Sequence, residues 1–453
     1  MPRIEAIVGR ALRIILPGGR RVTIDDFKAE AGKVTCLYGS NGTGKSLVVG
    51  VLSGRSLPRT ATLEGHLTAE WNGGVRELGR WPADQVVEHS YAAEVSVVFQ
   101  RLGGTLFAMQ ERDDYGIAME GAEGATLAER VDRLREVLDF LKQQTLFMRP
   151  GYQRSFAQTR LLELACAAST GQPVHVFDEP FQGLDIESVE VVRKLLGWLA
   201  AKRSIVVITA HTSEAGGGGS DFVPTAVEIK DETADGDDEF LTICEAVRGN
   251  LSNASTNSLL PNTDIVIKPK HSEHFTGCLR GLSDSQINWL IAKNGHGKST
   301  VAAALGGLIK PGWGFWPLRY PDGFHLEMGD WPGRSIPNRE VHVVLQDPYR
   351  SFIESRVSSD LPQTFVNIHE SIWGGLKRMP TDFSFGQLRF LQLLLIPRNA
   401  RLVILDEPLL GLSPRNRAHM LNFIRWLATS SRGVICTALD ASEKCLGEIA
   451  IHI

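Results

Sequence analysis

The sequence predicts an α/β fold in which one unit, built on a mainly parallel sheet, occurs twice. Four short segments recur in the same order in the two halves of the 453-residue chain. The recurring pairs are GSNGTGKS (39–46) and AKNGHGKS (292–299), VVFQ (97–100) and VVLQ (343–346), SFAQ (155–158) and SFGQ (384–387), and VHVFDEP (174–180) and LVILDEP (402–408). An ordered set of repeats predicts a duplication, and half of this chain is an ordinary length for a single α/β domain.

Runs of strand length and helical spacing support the α/β prediction. VTCLYG (34–39) is a short β-rich run that ends at the first glycine loop, and SLVVGVLSG (46–54) continues that loop as a helix. VHVFDEP and SIVVITAH (204–211) are apolar and rich in β-branched residues, as expected of buried parallel strands. The segment TLAERVDRLREVLDFLKQQ (126–144) has the apolar spacing of a helix.

The composition is that of a globular protein with a buried core. Hydrophobic residues make up 43% and charged residues 22% of the chain, and the net charge of −4 gives no chain-wide signal for nucleic acid. No apolar run is long enough to cross a bilayer, and the first residues lack a signal-peptide pattern. Six widely spaced cysteines without a CxxC pair fit a reducing compartment. The expected location is the cytoplasm, either free or peripheral at the inner face of the cell membrane.

Composition also suggests where the two units meet. We expect a first domain over 1–230, a solvated acidic linker at 231–239 (DETADGDDE) and a second domain over 240–453. The stretch AGGGGSDF (215–222) precedes the linker, and two interpretations of its Gly216–Ser220 core stay open. It is either an engineered flexible linker in place of a native loop or a natural glycine-rich loop.

The first glycine-rich segment has the pattern of a phosphate-binding loop between a strand and a helix. The backbone N–H groups of such a loop, together with the helix N-terminus, converge on phosphate oxygens. Its lysine would reach the β and γ phosphates, and its serine would ligate Mg²⁺. The predicted nucleotide-binding residues are Gly39, Ser40, Asn41, Gly42, Thr43, Gly44, Lys45 and Ser46.

The second glycine-rich segment keeps most of this pattern. Ala292 stands where the pattern has glycine, so we expect an altered entry turn. Nucleotide binding is still predicted, with His296 as an exposed loop residue rather than a catalytic one. The predicted binding residues are Asn294, Gly295, His296, Gly297, Lys298, Ser299 and Thr300.

Adjacent carboxylates end an apolar strand in each half, as Asp178-Glu179 and Asp406-Glu407. An aspartate beside a phosphate loop can hold the Mg²⁺ shell, and the neighbouring glutamate can polarise the attacking water. Paired carboxylates on an otherwise apolar run are costly in a core without such a task. These pairs therefore indicate nucleotide hydrolysis.

Taken together, the motifs resemble those of the ATP-binding cassette (ABC) ATPases over nearly the whole chain, as two consecutive P-loop nucleotide-binding domains. The resemblance implies a helical subdomain in each domain, ATP and Mg²⁺ as cofactors, and ATP hydrolysis. It assigns Ser46, Gln100, Asp178, Ser299, Gln346 and Asp406 to the metal, and Glu179, His211 and Glu407 to catalysis. The family signature LSGGQ appears here with phenylalanine in place of its first glycine, and its retained residues are Ser155, Gln158, Ser384, Gly386 and Gln387.

In that family the two domains pair head to tail, so that each ATP contacts one domain's phosphate loop and the other domain's signature. The resemblance therefore implies two unequal sites within this chain. The first loop would work with the second signature, and the second loop with the first signature. His211 matches the family's switch histidine, but Leu439 occupies that position in the second half and cannot donate a hydrogen bond. We predict that the first site hydrolyses ATP and that the second binds ATP but turns over slowly.

The segment from Gln346 to Tyr349 and beyond is similar to the corresponding region of energy-coupling-factor type importers. This similarity predicts a cytoplasmic ATPase subunit that energises a separate integral membrane transport protein. The alternative is a soluble ABC ATPase that acts on nucleic acid, ribosomes or an enzyme complex. The substrate and the direction of transport are not evident from the residues.

Overall fold

The three-dimensional structure is a computed structural model of the chain. It describes residues 4–16, 20–54, 61–71, 74–81, 89–100, 127–148, 155–212, 224–231, 236–252, 265–269, 277–279, 282, 286–294, 297–306, 308, 324–328, 340–352, 356–362, 379–380, 383–439 and 449–452. The glycine-rich stretch 215–222 lies outside these residues. The chain divides into two compact units, Met1–Ala234 and Asp235–Ile453.

The first unit is built on one ten-stranded sheet in the order β6-β5-β1-β2-β10-β4-β9-β8-β7, with β3 paired to β1. Strands β10, β4, β9, β8 and β7 are parallel, and the remaining pairings are antiparallel. The strands are β1 (Ile4–Ile15), β2 (Arg21–Ile24), β3 (Phe27–Glu30), β4 (Val34–Tyr38), β5 (Thr62–Trp71), β6 (Gly74–Trp81), β7 (Val95–Val98), β8 (Val174–Phe177), β9 (Ile205–Ala210) and β10 (Thr225–Asp231). The described helices are α1 (Lys45–Leu52), α2 (His89–Ala92), α3 (Leu127–Phe140), α4 (Thr145–Met148), α5 (Phe156–Ser169) and α6 (Ile186–Ala201).

The second unit contains a parallel five-stranded sheet in the order β15-β16-β17-β13-β18 and an antiparallel three-stranded sheet in the order β12-β11-β14. Its strands are β11 (Ile265–Pro269), β12 (Gly277–Leu279), β13 (Ile287–Ile291), β14 (Phe324–Met328), β15 (Val341–Val344), β16 (Leu402–Leu405), β17 (Gly433–Ala438) and β18 (Ile449–His452). Its described helices are α7 (Gly236–Ser252), α8 (Lys298–Leu305), α9 (Val357–Asp360), α10 (Phe385–Leu391) and α11 (Pro414–Thr429), with 3₁₀ turns at Pro348–Ser351 and Gln392–Leu395.

The parallel strands of the two units follow the same spatial order. The first unit has β7-β8-β9-β4-β10, and the second has β15-β16-β17-β13-β18. In both, the strand before the glycine loop lies beside the strand that carries the switch position. The predicted α/β fold with a parallel sheet in each half is therefore confirmed.

The central parallel strands are buried on both faces, because helices or other strands cover each side. On β8, Val176 faces one hydrophobic cluster and Phe177 faces another. On β9, Val207 and Ile208 alternate between the same two clusters. Burial on both faces explains why the sequences of these strands are continuous apolar runs.

The two ends of the acidic run 231–239 lie in regular elements. Asp231 ends β10, where its carboxylate accepts a hydrogen bond of 2.7 Å from Arg20. Helix α7 begins at Gly236, and Glu239 lies in its first turn, where the helix dipole favours negative charge. The composition that predicts a solvated linker therefore also suits a helix N-terminus, and the domain bounds 1–230 and 240–453 stay a prediction.

Helix α7 packs on helices α10 and α11 of the second unit. Its buried side chains Phe240, Ile243, Val247 and Leu251 recur at helical spacing along one face. The ring of Phe240 meets that of Phe390 edge to face, with centroids 4.7 Å apart. This face belongs to the main core of the second unit.

The position of α7 corresponds to that of α3 in the first unit. Helix α3 packs on α5, and its Phe140 lies 6.1 Å from Trp198 of α6. Helix α7 packs on the equivalent α10, and the guanidinium of Arg248 lies 5.6 Å above Trp426 of α11. In the first unit this helix, α3, follows strand β7 in the chain. In the second unit the corresponding helix, α7, precedes the first strand, β11.

Among the helices that the structure describes, none is both long and apolar enough to cross a membrane.

Truncation of Phe240 should destabilise the second unit. Phe240→Ala removes a 2%-exposed aromatic side chain and should lower the free energy of unfolding by about 3 kcal/mol or more. The neighbouring Leu241 is 37% exposed, so Leu241→Ala should change it by about 0.5 kcal/mol or less. Urea unfolding of the full chain, followed by circular dichroism, measures both. Equal losses from the two substitutions would contradict the assigned buried face of α7.

Candidate active sites

The first phosphate loop lies between β4 and α1 and folds around its own lysine. The ammonium of Lys45 is buried and donates hydrogen bonds to the carbonyls of Gly39 at 2.8 Å and Ser40 at 3.0 Å. Gly42 and Gly44 have φ values of 82° and 93°, which L-residues with side chains rarely adopt. The loop therefore holds its cation at the N-terminal end of α1, and the N–H groups at the beginning of a helix, which have no intrahelical partner, favour an anion.

The end of strand β8 is joined to that of β9 and to α1 through hydroxyl groups. Thr209 Oγ1 donates to Asp178 Oδ1 at 2.5 Å, and the backbone N–H of Glu179 donates to Thr209 Oγ1 at 2.9 Å. Ser46 Oγ donates to Asp178 Oδ2 at 2.6 Å. Burial is the main cause that raises the pKa of Asp178, and the charge of Glu179 adds to it.

Glu179 is the point at which the predicted catalytic residues converge. Gln100 Nε2 donates to its Oε2 at 3.0 Å, and Lys45 Nζ lies 3.2 Å from its Oε1. His211 Nε2 lies 3.1 Å from Oε2, at ion-pair distance. Burial favours the neutral acid, but the opposing charges of His211 and Lys45 lower the pKa of Glu179 to about 2. The carboxylate is therefore ionised at neutral pH.

His211 also contacts the phosphate-loop lysine. Its Nδ1 lies 3.2 Å from Lys45 Nζ, so the imidazole bridges Lys45 and Glu179. In the first unit, the predicted residues Lys45, Ser46, Gln100, Asp178, Glu179 and His211 are thus brought together within one cluster.

The second unit repeats the lysine cradle in spite of its altered loop. Lys298 Nζ donates to the carbonyls of Ala292 at 2.7 Å and Lys293 at 3.1 Å, as Lys45 does in the first unit. The methyl group of Ala292 therefore leaves these two contacts intact. Asn294 and Gly297 lie in the loop, and Ser299 and Thr300 lie in α8. The predicted residues Gly295 and His296 lie outside the described part of the chain.

The carboxylates of the second unit also repeat the contacts of the first. Thr437 Oγ1 donates to Asp406 Oδ1 at 2.6 Å, and Glu407 N–H donates to Thr437 Oγ1 at 2.8 Å. Gln346 Nε2 donates to Glu407 Oε2 at 2.9 Å, and its Oε1 accepts from Ser299 at 3.4 Å. Lys298 Nζ lies 3.4 Å from Glu407 Oε1. Both glutamates adopt positive φ, 48° at Glu179 and 47° at Glu407.

The sheet register identifies the difference between the two sites. In the first unit Ala210 pairs with Tyr38, and His211 follows. In the second unit Ala438 pairs with Ile291, and Leu439 follows. Leu439 therefore stands at the position of the imidazole, where it offers no hydrogen-bonding group.

The signature residues begin helices and cap them. Ser155 accepts from the N–H of Gln158 and the Gln158 side chain accepts from the N–H of Ser155, a capping box at the start of α5. Ser384 and Gln387 form the same box at the start of α10, with Gly386 buried in its first turn. Within each unit these residues therefore have a local structural task, to which a role in nucleotide binding would be added.

Three kinds of residue around the sites were not predicted from the sequence. The first kind is a pair of fully buried arginines. Arg160 donates to the carbonyls of Phe99 and Gln100, and Arg389 donates to those of Leu345 and Gln346. Thr209 and Thr437, described above, were also missed. Both sets could have been found, because SFAQTR recurs as SFGQLR and ITA recurs as CTA.

Arg20 is the third kind, and no repeat marks it. Its guanidinium donates to the carbonyl of Gly42 in the phosphate loop and to Asp231 at the end of β10. It therefore braces the outer side of the first loop.

The donor set fits ATP and Mg²⁺. A serine hydroxyl, a glutamine amide and an aspartate carboxylate lie within one cluster, and these are the oxygen ligands that Mg²⁺ prefers. The glycine loop with its buried lysine fits a phosphate chain.

Comparisons with known proteins relate part of the chain to the ABC transporter family. The model of the ABC transporter family matches residues 23–182. The arabinose import ATP-binding protein AraG of Mannheimia succiniciproducens is 27% identical over 206 residues, which cover 44% of this chain and 37% of that protein. AraG of Pseudomonas fluorescens is 24% identical over 315 residues, which cover 69% of this chain and 52% of that protein. That match is longer than the first unit, so it includes part of the second.

Among solved structures, a chain in a complex of ribosome-bound archaeal Pelota and ABCE1 has a TM-score of 0.50 and 17% identity. The alignment covers 91% of this chain and 70% of that chain, and at this identity the likeness concerns the fold alone. Residues 23–182 of the first unit are thus similar to the ABC transporter family, whose members hydrolyse ATP. The chain spans about half or less of the length of the AraG relatives.

A side chain at Gly44 should weaken ATP binding to the first loop. Gly44 has a φ of 93°, and a Cβ there would lie 2.7 Å from Val22 Cγ2, so Gly44→Ala should raise the Kd about tenfold or more. The Kd of each loop is obtained from a two-site fit of the nucleotide titration of the full chain. Gly197→Ala on α6 is the control, because a Cβ there meets nothing within 4 Å and the Kd should stay within about twofold. An unchanged Kd in Gly44→Ala would contradict the predicted binding loop.

Proposed function

We propose that this chain is the ATP-hydrolysing subunit of a membrane transporter, with one active and one slow site. The observation that carries the unequal-site proposal is the contrast between His211 and Leu439 within otherwise matching clusters. Every other described contact around the catalytic glutamate has a counterpart in the second unit.

Glu179 supplies the base in the first site. Its low pKa keeps the carboxylate ionised, and Gln100 fixes one of its oxygens by a hydrogen bond of 3.0 Å. A water held by this carboxylate would be polarised toward the terminal phosphate. Bound Mg²⁺ would neutralise phosphate charge, with Ser46, Gln100 and Asp178 as its protein ligands.

Lys45 has two tasks in this arrangement. Without nucleotide it neutralises Glu179 across 3.2 Å. When its ammonium turns to phosphate oxygens, Glu179 loses part of the attraction that lowers its pKa, and its affinity for a proton rises. Binding of the phosphate chain would thus make the glutamate a better base.

His211 would donate a hydrogen bond to the terminal phosphate from its place between Lys45 and Glu179. Leu439 cannot do so, and this is the reason to expect slow turnover in the second site. Pairing of the first loop with Ser384, Gly386 and Gln387, and of the second loop with Ser155 and Gln158, belongs to the same proposal and follows from the family resemblance.

The transport role is supported by the relatives, several of which are import ATP-binding proteins by name. It is also supported by the segment after Gln346, which resembles energy-coupling-factor type importers. There Asp347 caps a 3₁₀ turn at Pro348–Ser351, and the Tyr349 hydroxyl donates to the carbonyl of Phe383 at 3.3 Å. The chain lies in the cytoplasm in this proposal and acts with an integral membrane protein.

The unequal-site proposal predicts unequal effects of matched substitutions. Glu179→Gln keeps the shape of the side chain but removes the base, so phosphate release at saturating ATP and Mg²⁺ should fall about 100-fold or more. Glu407→Gln should lower it by about twofold or less, because the second site contributes little turnover. ATP binding, measured separately, should persist in both variants. Equal losses of turnover would contradict the proposal.

The transport proposal predicts a membrane partner. We expect Glu179→Gln, saturated with ATP to hold the nucleotide-bound state, to retain an integral membrane protein when purified from its host after mild detergent extraction. The wild-type chain without ATP is the control, and mass spectrometry identifies the retained proteins. Recovery of only ribosomes, nucleic acid or soluble enzymes would contradict the transport proposal and favour the soluble alternative, with the ATPase assignment unaffected.

A further inference from the structure

A buried arginine stands behind the glutamine in each unit, at the same place in the fold. Arg160 lies at the beginning of the second turn of α5, and Arg389 lies at the corresponding position of α10. Both side chains are 0% exposed. Burial of a guanidinium costs free energy unless its N–H groups donate hydrogen bonds. The groups that accept these bonds therefore indicate the role of the arginine.

Each guanidinium binds two consecutive carbonyls. Arg160 donates from Nη1 to the Phe99 carbonyl and from Nη2 to the Gln100 carbonyl, both at 2.7 Å. Arg389 donates from Nη1 to the Leu345 carbonyl at 2.7 Å and from Nη2 to the Gln346 carbonyl. These carbonyls follow the ends of β7 and β15, where strand pairing no longer holds the backbone.

The two bonded carbonyls belong to the peptide planes on either side of the glutamine Cα. With the carbonyls of Phe99 and Gln100 both held, φ and ψ of Gln100 are restrained, and so is the direction in which its side chain leaves the backbone. That side chain donates to Glu179 at 3.0 Å. The planar fork of arginine suits two acceptors at once, whereas the ammonium of lysine is a point charge.

The neighbour of the arginine differs between the units, but the carbonyl bonds do not. In the first unit Glu163 Oε2 lies 3.6 Å from Arg160 Nη1, and both side chains are buried. In the second unit Gln392 stands at that position, accepts from Arg389 Nη1 at 3.2 Å and donates to the Leu345 carbonyl at 3.1 Å. The bidentate grip on the backbone is thus the feature that both units share.

We infer that Arg160 is a positioning residue that acts through Gln100, and that Arg389 does the same for Gln346. The inference rests on the proposed function, since it assigns Gln100 to the metal and to the orientation of Glu179. Arg160 itself contacts neither the catalytic glutamate nor the phosphate loop by any hydrogen bond that the structure describes. Arg160 links helix α5, which Ser155 caps, to the backbone of Gln100.

The test is a double-mutant cycle between Arg160 and Gln100, read out as the Mg²⁺ dependence of ATP hydrolysis. Arg160→Lys keeps the charge but loses the fork, so the Mg²⁺ concentration for half-maximal hydrolysis should rise about tenfold. ATP binding in the presence of EDTA should stay within about twofold of wild type, because the phosphate loop is untouched. In a Gln100→Ala chain, the same Arg160→Lys substitution should add about twofold or less.

Two further variants separate positioning from folding. Glu163→Gln introduces the side chain that the second unit has and should leave the Mg²⁺ dependence unchanged. Arg160→Gln keeps a neutral donor, should act like Arg160→Lys, and provides a second cycle. Thermal unfolding of each variant reports loss of stability separately.

The outcomes distinguish the inference from the proposed function. An effect of Arg160→Lys that is equally large with Gln100 and with Ala at that position would overturn the positioning role, as would an unchanged Mg²⁺ dependence. If the wild-type chain itself showed no Mg²⁺-dependent hydrolysis, the proposed function would fail instead.

Discussion

The first site depends on a buried ion pair between Lys45 and Glu179 at the carboxyl edge of a parallel sheet. Both side chains are 6% exposed, and their charged atoms are 3.2 Å apart. An isolated charge at this depth costs several kcal/mol, and each residue supplies the opposite charge that offsets this cost for the other. Two loop carbonyls also accept hydrogen bonds from Lys45, and the amide of Gln100 donates one to the glutamate.

This pair also requires the backbone to place both partners accurately. The positive φ of Glu179 turns the chain sharply after β8, and Thr209 on the neighbouring strand accepts from the N–H of Glu179 while donating to Asp178. A positive φ in a residue other than glycine is unfavourable, so surrounding bonds must maintain it. The same turn occurs at Glu407, where Thr437 makes the same contacts, so both units maintain this strained turn.

The fold could be predicted because its strongest signals are local and repeated. Glycine loops, paired carboxylates and apolar runs are visible as short patterns, and their common order in the two halves indicated the duplication. Helix α7 was not predicted, because acidic residues suit both a solvated linker and a helix N-terminus. The contact between Phe240 of this helix and Phe390 joins segments that are far apart in the sequence, and no local pattern predicts such a contact.

The candidate site could likewise be predicted only where its residues form local patterns. The residues that would touch the nucleotide stand in motifs, whereas those that hold them in place do not. Arg160 looks like an ordinary helical arginine until its two acceptors are known, and Arg20 donates to Gly42 from a position without a motif of its own. A sequence shows charged residues but not the groups that they bind, and the carbonyls that accept from these two arginines give them their role.

The replacement of His211 by Leu439 is informative because so little else changes around it. Lys298 and Glu407 still form their buried pair, at 3.4 Å, and Gln346 still binds the glutamate. Lys298 therefore still opposes the charge of Glu407 in the absence of the imidazole. The switch position can thus differ between the two units without leaving either member of the buried ion pair unpaired.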